Sequence, residues 1–246
     1  MATEISLKDL LEAGSHFGHQ SKRWNPKMKP YLYGVRDGIH IFDLVKTKEG
    51  LDSALAFVHK AAAEGKIIAF VGTKRQAEAI VTEDAKKIGV PYISHRWMGG
   101  IITNWEQLKK SIDRLLSLTE KREKGELKKY TKREQLLFDR EIMKLERFFG
   151  GLKELKQPPD ILFIVDVKKE DSAVREAKRK GLPVVGIVDT NSDPDLIDYV
   201  IPANDDAIGS IKLIVDAVAN AVGEGKAAYE KGIEKEKAKE KTKKKA

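Results

Sequence analysis

Cations and aromatic rings alternate in the segment 22–33, which reads KRWNPKMKPYLY. It contains four Lys and Arg residues, no Asp or Glu, and the three rings Trp24, Tyr31 and Tyr33. Cations neutralise phosphates, and flat rings can stack on unpaired bases. Two prolines stiffen the segment and argue against a helix. These residue types predict contact with a nucleic acid, the alternative being that the rings fill the core while the cations face outward.

A second candidate for phosphate binding is the segment 72–76, GTKRQ, which follows an apolar run and begins a predicted helix. In α/β folds phosphates bind at such positions because free backbone N–H groups and the helix dipole converge there. Thr73 and Gln76 also match a capping box. The chain contains neither the spacing of a P-loop nor a GxGxxG motif, so we expect no nucleotide cofactor. A backbone phosphate of RNA could use the same position.

The glycine-rich turn 96–100, RWMGG, again places a cation beside a ring. Arg96 and Trp97 could therefore contact RNA in the same manner as the segment 22–33. The alternative is a tryptophan that packs beneath the loop.

Histidine and aspartate residues raise the question of a metal site or of phosphoryl transfer. His16 and His19 suit a metal only in a helix, and Gly18 argues against one. His19 could meet acids at the strand ends, which are Asp189, Asp193, Asp195, Asp205 and Asp206. We favour the interpretation that these acids cap helices and turns. Because the chain has no Cys and no nucleophile–base pair can be assigned from spacing, we expect no metal, no cofactor, no small-molecule substrate and no enzyme activity.

The charge of the 246-residue chain is strongly segregated along the sequence. The net charge is +8, yet residues 158–222 carry seven Lys and Arg against twelve Asp and Glu. Residues 104–156 carry fifteen against ten. This distribution favours a polyanionic partner, although Lys-rich and Glu-rich surfaces also occur in heat-adapted proteins. No apolar run approaches the roughly 20 residues that a bilayer requires, which predicts a cytoplasmic protein with no membrane partner.

Near-continuous apolar runs predict parallel strands that are covered on both faces. The runs are 67–71, 161–165 and 184–188, with shorter candidates at 200–201 and 39–42. Between them, apolar residues at steps of three and four predict amphipathic helices, as in 51–62 and 208–222. Alternating strands and helices predict an α/β fold, a doubly wound parallel sheet of about five strands.

Residues 104–156 interrupt this alternation with two predicted helices. Capping boxes at 103–106 and 131–134 begin them, and 124–126 is the predicted turn. The apolar residues of the second helix have heptad spacing and are Phe138, Ile142, Leu145, Phe149 and Leu152. We predict an inserted coiled-coil helical hairpin, the alternative being two ordinary helices packed on the sheet.

The predicted organisation is therefore an α/β domain built from residues 1–103 and 157–223, with the hairpin 104–156 between its two parts. The tail 224–246 has many Lys and Glu residues and almost no large apolar ones. Such a composition cannot offset the entropy of ordering, and it predicts a frayed helix or a disordered end.

Several long motifs in order along residues 1–225 resemble the bacterial ribosomal protein S-two family of the small subunit. The motifs are LLEAGSHFGHQSKRWNPKMKPYLYGVRDGIHIFDLVKT, VGTKRQAEAI, SHRWMGGIITNW, PPDILFIVD and GIVDTNSDPDLIDYVIPANDDA. Their length and order make the resemblance specific. The Lys-rich and Glu-rich tail is not diagnostic.

The resemblance implies a flavodoxin-like sheet with a coiled-coil arm. It implies a structural protein that binds small-subunit ribosomal RNA at the head–body junction, next to neighbouring small-subunit proteins. The mRNA-binding ribosomal protein S-one is implied to dock beside it. The residues that it assigns to RNA contact are Lys22, Arg23, Trp24, Asn25, Lys27, Lys29, Lys74, Arg75, Arg96 and Trp97. The arm adds the cations Lys128, Lys129, Lys132 and Arg133.

Two other classes remain open on the residues alone. One is an α/β enzyme or phospho-receiver that uses the aspartate cluster. The other is a protein-interaction scaffold that dimerises through the coiled-coil arm.

Overall fold

The computed structural model describes residues 5–243, with side chains through residue 232. The strands are β1 (Phe17–Gln20), β2 (Leu32–Arg36), β3 (Ile39–Phe42), β4 (Ile68–Val71), β5 (Tyr92–Ile93), β6 (Ile161–Val165), β7 (Val184–Val188) and β8 (Tyr199–Pro202). The α-helices are α1 (Leu7–Glu12), α2 (Leu44–Ala63), α3 (Arg75–Ile88), α4 (Trp105–Glu123), α5 (Lys132–Phe149), α6 (Asp171–Lys180) and α7 (Ile208–Lys243). None of the helices in this described part is long and apolar enough to span a bilayer.

The centre of the fold is a five-stranded parallel sheet in the order β5-β4-β6-β7-β8. The predicted α/β class and the long apolar strands are therefore confirmed. The chain runs from β4 out to β5 and then returns to β6 on the other side of β4, which is flavodoxin-like topology. This reversal places a crevice between β4 and β6 at the carboxyl edge of the sheet.

Alternate strand residues enter two separate cores, one on each face of the sheet. In β4, Ile68 and Phe70 pack in the core that contains residues of α2, α3 and α7. Ala69 and Val71 pack in the second core, which contains residues of α4, α5 and α6. Because both faces are covered, the strands have continuous apolar sequences rather than alternating ones.

The candidate strand 39–42 belongs to a different sheet from the other predicted strands. It is β3, the centre of a three-stranded antiparallel sheet in the order β1-β3-β2. Only His40 and Phe42 of this strand are buried, which is the alternation expected of a sheet with one covered face. The flanking segments 21–23 and 26–31 are short 3-10 helices. No α-helix forms in these segments, as the prolines predict. Pro26 is compatible with the 3-10 helix 26–31 because it occupies the first helical position, where a backbone N–H has no partner in the helix.

The helices α4 and α5 follow one another between β5 and β6 and pack together. Arg114 of α4 donates to Glu141 of α5, with 3.0 Å between Nε and Oε1. Gly125 occupies the turn between them with a φ of 73°, in the left-handed region that glycine adopts readily. Of the heptad positions, Ile142, Phe149 and Leu152 are buried in the second core. The coiled-coil geometry of this pair stays a prediction.

Only one of the two capping boxes predicted for these helices forms. At α5, Thr131 N donates to Glu134 Oε2 at 2.9 Å and Glu134 N donates to Thr131 Oγ1 at 3.4 Å. At α4 the prediction is wrong, because Asn104 is the N-cap and its side chain makes no capping bond. Thr103 instead donates to Glu176, a residue far along the chain.

The C-terminal helix extends beyond the predicted domain boundary at residue 223. Helix α7 continues through Lys243, and residues 244–246 lie outside the described part. Lys226 Nζ donates to the backbone oxygens of Ile88 and Gly89 at 2.9 and 2.7 Å. The helix thus packs on the α/β domain beyond residue 223, through Lys226 and through Tyr229, whose ring lies against Gly65.

Two carboxylates meet where α3 packs on α7. Asp84 is buried, and its Oδ2 has no hydrogen-bond partner. Burial, together with the neighbouring Asp216, raises the pKa of Asp84 from 3.8 to about 6. The folded protein therefore binds this proton more tightly than the unfolded chain does, and the free energy of unfolding falls as the pH rises from about 4 through 6.

We expect Asp84→Asn to remove the decrease in the free energy of unfolding that the ionisation of Asp84 causes as the pH rises. Near pH 4.5 the variant and the parent should have similar free energies of unfolding, whereas at pH 7.5 the variant should be more stable by about 1–3 kcal/mol. Urea unfolding followed by circular dichroism at the two pH values measures the difference. The control is Glu83→Gln, an exposed neighbour on the same helix. An Asp84→Asn variant with the same pH dependence as the parent would contradict the assignment.

Candidate nucleic-acid interface

Lys74 lies at the carboxyl edge of the parallel sheet, where it fills the crevice between β4 and β6. Its ammonium is 2.7 Å from Asp205 Oδ1, 2.5 Å from Asp206 Oδ1 and 3.4 Å from Asp166 Oδ2. Burial alone would lower the pKa of Lys74, but Asp205 and its neighbouring carboxylates raise it. Burial, followed by repulsion from Asp189 and Asp166, raises the pKa of Asp205, and the Lys74 ammonium opposes this. The position predicted to receive a phosphate thus holds an internal ion-pair network.

The residues beside Lys74 also face inward. The capping box predicted for Thr73 and Gln76 is wrong, since Lys74 is the N-cap of α3 and makes no side-chain capping bond. The Thr73 hydroxyl donates instead to the buried carboxylate of Glu170. Lys169 Nζ donates to the backbone oxygen of Thr73 at 2.9 Å. In the segment 72–76, only the side chain of Arg75 is exposed.

His19 joins the antiparallel sheet to the same edge of the parallel sheet. Its Nδ1 donates to Asp189 Oδ1 over 2.9 Å, and its Nε2 is 2.9 Å from Asn191 Nδ2. The hydrogen bond to Asp189 raises the pKa of His19, although burial opposes the shift. Asp189 is fully buried and also accepts from the backbone N–H of Thr190 and of Asp205. These contacts give Asp189 a structural role.

The prediction that the aspartates cap helices and turns is right for one of them. Asp193 Oδ1 accepts from Asp195 N at 3.1 Å and caps the 3-10 helix 194–196. Before α7, however, the capping oxygen is that of Asn204, which accepts from Asp206 N and Ala207 N. Within the described residues, no group of three or more His, Asp or Glu side chains has a geometry that could hold a metal ion.

The cation-rich segment 22–33 is attached to this edge by its polar and apolar residues. Asn25 N donates to Thr190 O at 2.7 Å, and Asn25 Oδ1 accepts from Lys27 N at 3.1 Å. The Trp24 ring stacks on His40 with 4.6 Å between ring centroids, and Met28 is fully buried. The rings and the asparagine thus hold the segment in place.

The cations of this segment differ in their surroundings. Lys27 Nζ is 2.8 Å from Asp193 Oδ2 and 2.7 Å from Asp195 Oδ2. Lys22, Arg23 and Lys29 are exposed, and no ion pair to them occurs among the described residues. Three of the predicted cations therefore carry charge that this part of the chain does not neutralise.

The turn 96–100 separates its two candidate residues. Arg96 is exposed, whereas Trp97 is buried and donates from Nε1 to Glu176 Oε2 at 2.9 Å. Trp97 therefore packs beneath the loop, which is the second of the two interpretations of this turn, and only Arg96 of the two residues faces solvent. Glu176 itself carried no signal in the sequence, because an isolated glutamate on a helix is ordinarily solvated.

Glu176 of α6 binds the whole loop that leads into α4. In addition to Trp97, it accepts from Gly100 N at 3.1 Å, Ile102 N at 2.8 Å and Thr103 N at 2.8 Å. The Thr103 hydroxyl is a fifth donor, at 2.9 Å. Burial would raise the pKa of Glu176, but these hydrogen bonds lower it. A single ionised carboxylate therefore fixes the base of α4 to the α/β domain.

The four arm cations lie at and just beyond the turn between α4 and α5. The residues Lys128, Lys129, Lys132 and Arg133 are all exposed. Lys129 Nζ is 5.5 Å from the centroid of the Tyr130 ring. The structure brings these cations together at one end of the helix pair.

The fold and this edge define a class of protein, an α/β protein of flavodoxin-like topology whose ligand crevice is occupied by its own side chains. The family model of ribosomal protein S2 matches residues 10–225. The chain belongs to the ribosomal protein S2 family. It is accordingly a structural protein of the small ribosomal subunit, acting in translation in the cytoplasm, and it is not an enzyme.

Curated relatives are similar over most of their length. A small ribosomal subunit protein uS2 of Coprothermobacter proteolyticus is 51% identical over 222 residues, which cover 90% of this chain and 83% of the relative. One of Psychrobacter cryohalolentis is 50% identical over 224 residues, 91% of this chain and 85% of the relative. One of Geotalea uraniireducens is 52% identical over 223 residues, 91% of this chain and 87% of the relative.

We expect Glu176→Gln to destabilise the protein by about 2–4 kcal/mol, because an amide cannot accept from all of these donors and would turn its own N–H groups toward them. Urea unfolding measures the loss, and a shift of the tryptophan fluorescence reports on Trp97. The matched control is Glu146→Gln, which removes the charge of one partly exposed ion pair with Lys153 and should change stability by less than about 1 kcal/mol. Equal effects of the two substitutions would disprove the role given to Glu176.

Proposed function

We propose that the chain binds small-subunit ribosomal RNA at the head–body junction through two separate groups of exposed cations. The first group, the edge cations, consists of Lys22, Arg23, Lys29, Arg75 and Arg96. The second group, the arm cations, consists of Lys128, Lys129, Lys132 and Arg133. The remaining predicted RNA-binding residues have supporting roles in this proposal.

The observation that carries the proposal is the contrast within the segment 22–29. Lys22, Arg23 and Lys29 face solvent, while Trp24 and Met28 hold the backbone between them against the body of the protein. Because the backbone that carries these cations is already fixed, phosphate binding costs little backbone entropy. Released counterions then supply the favourable free energy.

The supporting residues keep this surface in shape. Lys74 pairs with three carboxylates and so offsets part of the negative charge that would repel phosphate at the same edge. Lys27 does the same for Asp193 and Asp195. Trp97 and Trp24 pack inward, so they act on RNA through the position of Arg96 and of the edge cations.

The arm cations give the protein a second contact on the same rigid frame. Once the edge cations have bound, the second contact becomes an intramolecular event with a high effective concentration. Two contacts at fixed separation would set the relative position of two RNA elements. This is a structural function that requires no reaction.

We further propose that ribosomal protein S-one and neighbouring small-subunit proteins dock on this protein beside the RNA. The support is the net negative charge of residues 158–222, which makes that part of the chain unfavourable for phosphate. Co-sedimentation of S-one with small subunits that contain or lack this protein tests the proposal. Equal recovery of S-one in both samples would contradict it.

We expect the triple variant Lys22→Ala, Arg23→Ala, Lys29→Ala to bind ribosomal RNA with a weaker dependence on salt. Each lost phosphate contact lowers the slope of log K against log salt by about 0.7–0.9, so the slope should fall by about 2–3. Filter binding at several salt concentrations measures it. The matched control replaces Lys60, Lys87 and Lys212, exposed lysines of α2, α3 and α7, by Ala. A slope that is the same in both variants would remove the edge cations from the interface.

A further inference from the structure

Tyr33 is an exposed aromatic residue to which the proposed function gives no role. Its side chain in β2 is 83% exposed, the highest value among the large hydrophobic residues that are exposed in the described part of the chain. The neighbouring rings have intramolecular partners, since Trp24 stacks on His40 and Tyr31 packs against the second core. Of the three rings in the segment 22–33, Trp24 and Tyr31 are partly buried and Tyr33 alone is exposed.

An irregularity in the sheet accounts for this exposure. Strand β2 is an edge strand, and its register shifts between the pairs Leu32–Phe42 and Gly34–Ile41. Tyr33 is the additional residue between these pairs. Such bulges redirect a side chain, and they are frequent at sheet edges and beside functional sites.

The next residue, Gly34, has no requirement for glycine within the described chain. A Cβ atom built on Gly34 would meet no other atom within 4 Å. Its φ is not among the positive values that favour glycine. Glycine in a strand reduces stability and often marks a place where a ligand or another chain approaches the backbone closely. The open space beside Tyr33 is therefore available to a binding partner.

The charges around Tyr33 favour an anionic partner. Arg36 is on the same strand with its side chain 87% exposed, and Lys29 is exposed just before it. Asp37 is the acid nearest in sequence, and it makes only a long contact of 4.0 Å with Arg36. An edge strand can also receive a strand from another protein. The excess of cations and the flat exposed ring favour a nucleotide instead.

We propose that Tyr33 and Gly34 form a stacking site for one unpaired nucleotide of RNA. The base stacks on the Tyr33 ring, the sugar and backbone pass over Gly34, and Arg36 binds an adjacent phosphate. This inference rests on the proposed RNA binding. The stacking contact depends on the area of the Tyr33 ring and not on charge. The protein would therefore distinguish an RNA with an unpaired base next to Tyr33 from an RNA without one.

The test compares Tyr33→Leu with Tyr229→Leu, using small-subunit ribosomal RNA and filter binding over a range of salt. Tyr229 is also partly exposed, but it packs on Gly65, which precedes β4 of the parallel sheet. Tyr33→Leu should weaken binding by roughly 5- to 100-fold with an unchanged salt slope, because a stacked base is lost and no cation is. Tyr33→Phe should restore the affinity to within about twofold, and Tyr229→Leu should have no effect.

Gly34→Val provides a second, independent readout. It should weaken RNA binding with the Tyr33 ring still present, and a thermal melt checks that the variant is folded. The inference is overturned if Tyr33→Leu binds as Tyr229→Leu does. It is replaced by strand addition if both β2 variants bind RNA normally but fail to recruit a neighbouring protein into reconstituted subunits. If the unaltered chain shows no salt-dependent binding at all, the proposed function fails and this inference fails with it.

Discussion

The ion-pair network around Lys74 is the interaction on which the carboxyl edge of the sheet depends. One ammonium group contacts carboxylates from the segment after β6 and the segment after β8, while Lys74 itself follows β4. Removing the ammonium would leave several carboxylates together in a poorly solvated place, which is costly. The network therefore holds three loops at fixed positions. His19 and Asp189 attach the antiparallel sheet to the same edge, so Lys22, Arg23 and Lys29 take their positions from this edge.

The network also explains why a fold that often binds small ligands has a structural role here. In open α/β sheets, ligands bind where the strand order reverses, at the carboxyl edge. In this protein that position is occupied by Lys74, Thr73 and Asp166. Asp166 has a φ of 64°, a conformation that non-glycine residues rarely adopt. The Lys74 ammonium, which would otherwise attract a phosphate, forms ion pairs with carboxylates of the same chain. The exposed cations lie on the surrounding loops.

The sequence predicts four of the five strands of the parallel sheet because long apolar runs indicate burial, and it misses β5, whose two residues Tyr92 and Ile93 form no such run. It predicts less well which polar side chains bind one another. The motifs at 73–76, 103–106 and 131–134 look alike, yet only the last forms a capping box. The other two threonines donate to Glu170 and Glu176, which lie 97 and 73 residues away along the chain. Local spacing cannot reveal a competing acceptor that folding brings near.

The same limitation applies to the candidate RNA-binding residues. Lys22 and Lys74 are alike as residues in cationic motifs, and only their surroundings in the fold separate a free charge from a neutralised one. Tryptophans are ambiguous in the same way, since Trp97 beside Arg96 could stack on a base or fill the core. Its indole N–H has a buried carboxylate as partner, which settles its position in the fold. The exposed fraction of each side chain thus divides the motif residues into two groups. Buried residues such as Trp97 support the loops, and exposed residues such as Lys22 make up the surface of the candidate interface.

The length of the helix pair α4 and α5 places a strict mechanical demand on the loop that attaches it. Helix α4 has 19 residues, so at a rise of about 1.5 Å per residue its far end lies about 28 Å from its base. A rotation of about 10° at the base would move the arm cations by about 5 Å, more than the length of a hydrogen bond to phosphate. A loop held by one or two weak contacts would allow such a rotation. Five hydrogen bonds that converge on the Glu176 carboxylate restrict it, because a tilt of the loop would lengthen several of them at once.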